Sequence, residues 1–177
     1  MTIRVTGGEK PIEIPFTLIV QEPPPKVGDD DLALASKGAV ATSDSELARE
    51  PGCTPKVIDG RLCGPEDFEA NRWHSSIETP HPHWVQVKLP KAAAIGRVVI
   101  RFADPTGYAV KLRGLVATPD GKGWTEVFRR EDNKESRTFR AEFAPVPTDT
   151  FRLVIEKSAN PGWPNAAQVS EIEVYAR

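Results

Sequence analysis

The chain has 177 residues, 17 of them proline and 13 glycine, with a net charge of −2, 39% hydrophobic and 27% charged residues. That size suits one domain able to bury a core without staples or metals. The near-neutral charge gives no phosphate-neutralising surface for nucleic acid, and no apolar run is long enough to cross a bilayer as a helix. Proline and glycine at this density favour short strands and frequent loops over long helices.

In chain order, the β-branched alternation of "IEIPFTLIVQE" predicts a strand at Phe16–Val20. The stretch "EPPPKVGDDD", residues 22–31, reads as a stiff, solvated linker. Residues 1–25 are therefore assigned to an N-terminal strand and linker that pair elsewhere or close a preceding domain. The N-terminus lacks the charged-then-apolar pattern of a secretion signal, and the chain is read as a fragment of a longer protein.

From Leu32 the texture changes, and residues 32–177 are taken as one module. "LALASKGAVATSDS" holds small and β-forming residues with no helical apolar stripe, and "EDFEANRW" predicts one short helical turn. Strands are then expected at His83–Leu89, Ile95–Phe102, Val110–Thr118, Trp124–Arg130, Ser136–Phe143, Thr150–Lys157 and Ser170–Ala176, separated by turn signals such as "TPDGKG", "APVPTD" and "NPGWPN". Many short strands at this spacing predict an all-β, antiparallel sandwich or barrel. Cys53 and Cys63 flank a Pro/Gly-rich loop; a disulfide pinning that loop is expected ahead of two reduced thiols.

All three histidines lie in "NRWHSSIETPHPHW". A zinc site needs three or four ligands converging at roughly 2 Å. Yet His81 and His83 sit among prolines in an extended segment, and there is no HExxH or CxxC. His81 and His83 are therefore assigned to the scaffold. No G-x-S-x-G elbow marks a nucleophile. The acids, including Glu66, Asp67, Glu69 and Asp104, show no spacing that selects a catalytic pair. "GKG" lies between two strands and reads as a hairpin turn, not a phosphate loop. No enzymatic activity is expected.

A binding module remains. "KVIDGRLCGPEDFEANRWHSS", "PHWVQVKLPKAAAIGRVVIRF", "TPDGKGWTEVF" and "FRLVIEKSANPGWPNAAQVSEIEVY" occur in this order. Together they resemble the discoidin-like, or coagulation factor type C, domain family. Its carbohydrate-binding branch, carbohydrate-binding module family 32, is the nearest, and the resemblance runs from about Leu32 to Arg177. It implies an eight-stranded antiparallel jelly-roll β-sandwich, galactose-binding-domain-like, without catalytic activity. Trp84, Trp73, Trp124 and Tyr175 are expected to fill the core, where aromatic side chains bury large apolar areas.

The resemblance also implies a structural calcium. Carried onto this chain, its ligands are the carbonyls of Lys56, Arg61 and Ser170, the carboxylates of Asp59 and Glu171, and oxygen from Asn71. Asn71 departs from the family's usual Thr, and the loop from Gly60 to Trp73 is longer than usual. Oxygen-only ligation of this kind suits calcium.

For the ligand, the resemblance points to His74, directly after the loop tryptophan. An aromatic three residues on is replaced here by Ile77. The Pro-Arg that relatives carry at the end of the strand matching "RVVIRF" is absent, since Phe102-Ala103-Asp104 follows and Arg101 is out of place; the resemblance therefore leaves the sugar unassigned. Trp163 is the expected stacking residue, with Tyr108 and Asn165 beside it. The resulting expectation is a glycan-binding module of a secreted multidomain protein. It would be extracellular or periplasmic and covalently attached to other domains. An adhesion module for protein or phospholipid, and a structural spacer with a degenerate site, are the alternatives.

Overall fold

The computed structural model describes residues 2–5, 12–15, 27–63, 67 and 69–177. The strand expected at Phe16–Val20 lies outside the described residues. Two strands not expected from the sequence, β1 (Thr2–Val5) and β2 (Ile12–Pro15), pair as an antiparallel hairpin.

The module itself comprises β3 (Val40–Ser43), β4 (Trp73–His74), β5 (His83–Arg101), β6 (Ala109–Ala117), β7 (Trp124–Arg130), β8 (Thr138–Ser158), β9 (Gln168–Val169) and β10 (Glu171–Ala176). Short 3-10 turns stand at Ala35–Lys37 and Thr54–Ile58. Every strand pairing among the described residues is antiparallel.

The two long strands organise the fold. Where four separate strands were expected, β5 and β8 each run continuously and pair with one another along both halves. Their register shifts between Lys88 and Ala93 and again between Ile95 and Arg97. The first half of β5 also pairs with β3, and the second half of β8 with β6, which carries β7 on its other side. The second half of β5 pairs with β10. Each long strand thus contributes to both layers of a sandwich. Register shifts are where a strand bends, and Pro90, Pro145 and Pro147 fall in the segments around them.

Alternation fills the space between the layers. Val85, Val87 and Leu89 of β5 and Phe151, Leu153 and Ile155 of β8 point inward from one layer. Val98, Ile100, Phe139, Ile172 and Val174 meet them from the other in one buried cluster. Each such side chain contributes about 1.5–3 kcal/mol relative to exposure.

Two tryptophans break the expectation. Trp73 and Tyr175 are buried as expected, at 0% and 5% exposure, but Trp124 is 39% exposed and Trp84 only half-buried. Because Val85 and Val87 face the core, Trp84 must face the other way. Instead of filling the core, Trp84 and Trp124 clasp the Arg152 guanidinium on the outer sheet face, with ring centroids 4.2 Å and 4.0 Å away. Gln86 Oε1 accepts hydrogen bonds from Arg152 Nε and Nη2 at 3.1 Å and 2.7 Å.

The Cys53–Cys63 disulfide does not form. Neither sulfur is bonded to another cysteine. The buried Cys53 thiol donates to the His74 carbonyl at 3.7 Å, while the Cys63 thiol donates to the carbonyl of Asn71, so each sulfur is held by a different stretch of backbone.

Candidate functional site

One end of the sandwich is built around the two-residue ribbon β4–β9, in which Trp73 opposes Val169 and His74 opposes Gln168. The buried Trp73 indole donates to the Ser45 carbonyl at 2.9 Å and anchors the ribbon. His74 is thereby held at the surface of the core, 3% exposed, with its backbone carbonyl accepting from Leu47 N–H at 2.8 Å. Its Nδ1 lies 2.8 Å from the Ser75 carbonyl, which can only accept, so the ring proton sits on Nδ1 and Nε2 is an acceptor. Burial pushes the His74 pKa below its ordinary value against the opposing hydrogen bond to Ser75, and the Arg72 charge adds to the lowering. The ring is neutral at pH 7.

The loop before β9 presents Trp163. Asn160 Oδ1 accepts from the backbone N–H groups of Gly162 and Trp163, each at 3.0 Å, closing an Asx-type turn. Ala166 N–H donates to the Trp163 carbonyl at 2.9 Å. So fixed, the indole stands 48% exposed. A large apolar ring held open to water by its own loop costs hydration unless something covers it.

His74 and Trp163 border one groove of about 310 Å³, which Arg49, Glu69, Arg72, Asp104, Thr106, Asn160 and Gln168 also line. Arg72 is 2% exposed; its Nη1 donates to Gln168 Oε1 at 3.0 Å and its Nη2 to Glu50 Oε1 at 3.3 Å. Asp104 accepts from the Thr106 N–H at 2.8 Å. Next to the groove is an apolar notch of about 70 Å³ lined by Leu47, Arg49, His74, Ile77 and Trp163. The groove thus sets an exposed indole beside hydrogen-bond donors and acceptors and charges of both signs.

Of the ligand residues expected from the sequence, His74 and Trp163 come together. Asn165 lies behind them, its Nδ2 donating to the Ile77 carbonyl at 3.4 Å and tying the two loops to each other. Tyr108 does not line the groove; its ring packs on the core with Phe102, centroids 6.4 Å apart. Arg101 lines a different groove and pairs with Glu173 at 2.6 Å. Sequence reasoning missed Arg49, Arg72, Asp104, Asn160 and Gln168 as groove residues. Asn160 was findable, since Asn-Pro-Gly opens an Asx turn, and Asp104 stands in a similar "DPTG" turn. Arg49 and Gln168 carry no local signal.

His83 is buried and His81 half-buried in the scaffold, their ring centroids 5.2 Å apart. His83 Nδ1 donates to Asp44 Oδ2 at 2.6 Å and Nε2 to the Thr79 carbonyl at 3.1 Å, while His81 Nδ1 donates to the Ile155 carbonyl at 3.1 Å. Among the described residues no group of three or more His, Cys, Asp or Glu side chains is placed to hold a metal.

The six positions expected at calcium include only two carboxylates. Asp59 caps the 3-10 turn at Thr54–Ile58 and accepts from Arg61 N–H at 2.8 Å. Glu171 is fully buried, and its Oε1 accepts from Gly60 N–H at 3.3 Å. Its Oε2 is buried without a hydrogen-bond partner among the described residues. Burial, then the Asp59 charge, push the Glu171 pKa up to about 9, and burial raises that of Asp59. Asp59, Arg61 and Asn71 line one open groove. Asn71 Nδ2 donates to Asp67 Oδ2 at 2.7 Å, which leaves the amide oxygen as its remaining acceptor. Ser170 N–H is tied to the Arg101 carbonyl at 2.8 Å, and Lys56 N–H to the Cys53 carbonyl at 3.1 Å. An orphaned buried carboxylate oxygen beside a second carboxylate fits a cation bound by oxygen.

A sequence model of the F5/8 type C domain matches residues 40–172. No curated protein sequence matches the chain. Among solved structures, the chain is similar to chitosan-binding module 1 of a chitosanase/glucanase from Paenibacillus sp. IK-5, at 22% identity, covering 82% of this chain and 98% of that one with a TM-score of 0.65. Module 2 of the same enzyme, solved with chitotriose, is similar at 22% identity, over 82% and 100% of the chains, TM-score 0.66. The family 32 carbohydrate-binding module of C. perfringens NanJ, solved with galactose, is similar at 17% identity, over 81% and 97%, TM-score 0.65. At these identities the likeness is one of fold.

Proposed function

This chain belongs to the F5/8 type C domain family, and on that premise we propose that it is a non-catalytic carbohydrate-binding module that grips a glycan in the groove between His74 and Trp163. The observation behind this reading is the half-exposed Trp163, set by Asn160 at the mouth of a polar groove. The flat face of a pyranose covers such an indole, and the ring hydroxyls meet Arg49, His74, Asp104 and Asn160 in place of water. Support comes from the similar structures, whose names record binding of chitosan, chitotriose and galactose. One sugar offers few atoms, so a single site is weak. The module acts by raising the effective concentration of an attached domain at a glycan surface. That role places the parent protein outside the cytoplasm, extracellular or periplasmic.

The same reading assigns a structural calcium to the carboxylates of Asp59 and Glu171, the carbonyls of Lys56, Arg61 and Ser170, and the amide oxygen of Asn71. Bound there, the ion supplies the positive charge that the buried Glu171 lacks. It would link the loop after the Thr54–Ile58 turn to β10 and touch no sugar.

Retention on an array of immobilised mono- and oligosaccharides tests the proposal. The chain should bind a subset of glycans, and Trp163→Ala should abolish retention without lowering the melting temperature. Equal retention of the two proteins, or of every glycan alike, contradicts it.

A further inference from the structure

The notch beside Trp163 has a chemistry distinct from the groove it opens on. Leu47, 7% exposed, and Ile77 give it apolar walls, and the Trp163 ring forms a third side. The walls are braced: Leu47 N–H donates to the His74 carbonyl at 2.8 Å, and Asn165 Nδ2 donates to the Ile77 carbonyl at 3.4 Å. Two polar residues of opposite sense also line the notch. His74, its Nδ1 proton committed to the Ser75 carbonyl, offers Nε2 as an acceptor. Arg49, whose side chain is 65% exposed and only 3.7 Å from Glu50 at its nearest approach, offers guanidinium N–H donors.

We propose, building on the glycan-binding reading, that this notch is an acetamido pocket and that the site selects N-acetylated amino sugars over the parent hexoses. At about 70 Å³ the notch is large enough for a methyl group and too small for a second ring. A hydroxyl in place of the acetamido group leaves the apolar space against Leu47 and Ile77 unfilled. An acetamido group matches every feature: its methyl fills the apolar space, its N–H faces an acceptor, and its carbonyl faces a donor. Because Arg49, His74 and Trp163 border both groove and notch, one pyranose stacked on Trp163 reaches both. Ile77 is the specificity-determining residue, since a larger side chain there fills the space the methyl would take.

Burying one methyl is worth about fourfold in affinity and one further hydrogen bond about another fivefold. The acetamido sugar should therefore bind about four- to twentyfold more tightly than its hexose. The test is calorimetric titration of the full chain with the methyl glycosides of N-acetylglucosamine, N-acetylgalactosamine, glucose and galactose. The quantity read is the affinity ratio within each acetamido–hexose pair. At least one ratio should exceed about four. Ile77→Trp should bring it close to one, and Ile77→Val should keep it, with melting curves verifying that both variants fold. Ratios near one in the parent chain, or a ratio that survives Ile77→Trp, overturn the acetamido pocket and leave the glycan reading standing. Binding of none of the four sugars overturns the acetamido pocket, and retention on the glycan array then decides the broader reading.

Discussion

Asn160→Ala removes the brace of the Trp163 loop without touching the indole. Its Oδ1 is the acceptor for two backbone N–H groups, those of Gly162 and Trp163, each at 3.0 Å. A net contribution of about 0.5–1.5 kcal/mol per hydrogen bond applies. The loop is open to solvent, so the freed donors find water and the total loss is about 1–2 kcal/mol. That loss falls on the order of the loop rather than on the core, because such segments open locally. A ligand must then order the loop on binding, so its affinity should fall about five- to thirtyfold. The global melting temperature should move little. Asn160→Asp keeps an acceptor oxygen in place and should restore most of the affinity. Calorimetry or affinity electrophoresis with a retained glycan, paired with thermal melts of each variant, measures both quantities. Undiminished binding by Asn160→Ala would refute the claim that this turn presents Trp163. So would a failure of Asn160→Asp to recover any affinity.

Other outcomes follow from the scaffold. Burial lowers the pKa of His83, but the Asp44 hydrogen bond and charge outweigh it and the net shift is upward; burial raises that of Asp44, and the bond to His83 outweighs it and takes the net shift downward. The His83 contribution is therefore full below its unfolded value of 6.5 and is lost as pH rises through the raised folded value, while that of Asp44 is lost as pH falls below 3.8 through the depressed one. Urea unfolding should accordingly show Asp44→Asn costing about 2–4 kcal/mol at pH 6, with the gap to the parent chain narrowing toward pH 9; a constant gap contradicts the pairing. Calcium should raise the melting temperature and a chelator lower it, by about 2.7 kcal/mol of stabilisation at a hundredfold excess over Kd; Glu171→Gln should abolish the response, and a chelator-insensitive parent chain contradicts the ion assignment. A Cβ added at Gly114 would lie 2.1 Å from the Phe128 ring, which packs on Phe139 with centroids 5.4 Å apart. Gly114→Ala should therefore destabilise by about 1–3 kcal/mol in the same assay, and an unchanged midpoint contradicts that packing.

The all-β class was legible because its signal is local. Turn residues stand between runs of β-branched residues, and β7 matches its expected bounds, Trp124–Arg130. What sequence reasoning cut short were β5 and β8, because "APVPTD" read as a turn and residues 90–94 were left between two expected strands. In the folded chain those residues occupy strands whose register shifts there. Trp84 and Trp124 were misplaced because bulk suggests burial, while a guanidinium clasped between two indoles covers part of their apolar area on an outer face. The phase of Val85 and Val87 already placed Trp84 outside. At the site, His74 and Trp163 were visible as a histidine after a loop tryptophan and as an aromatic between prolines. Arg72 and Gln168 were not, because they meet only through pairing of β4 with β9, residues 96 apart in the chain. Tyr108 stands beside the segment that leads to Trp163, its carbonyl accepting from Ala159 N–H, but its ring turns toward Phe102 and the core.

The most direct test of the central claim is to follow the backbone amide and indole N–H resonances during titration with a glycan the chain retains. Two indoles are well exposed, Trp163 at 48% and Trp124 at 39%, at different places on the molecule. The account predicts that shifts concentrate on the Trp163 indole and on residues 74–77 and 160–168, with Trp124 and its sheet face unmoved. Shifts centred on Trp124, Gln86 and Arg152, with the Trp163 loop silent, would contradict it.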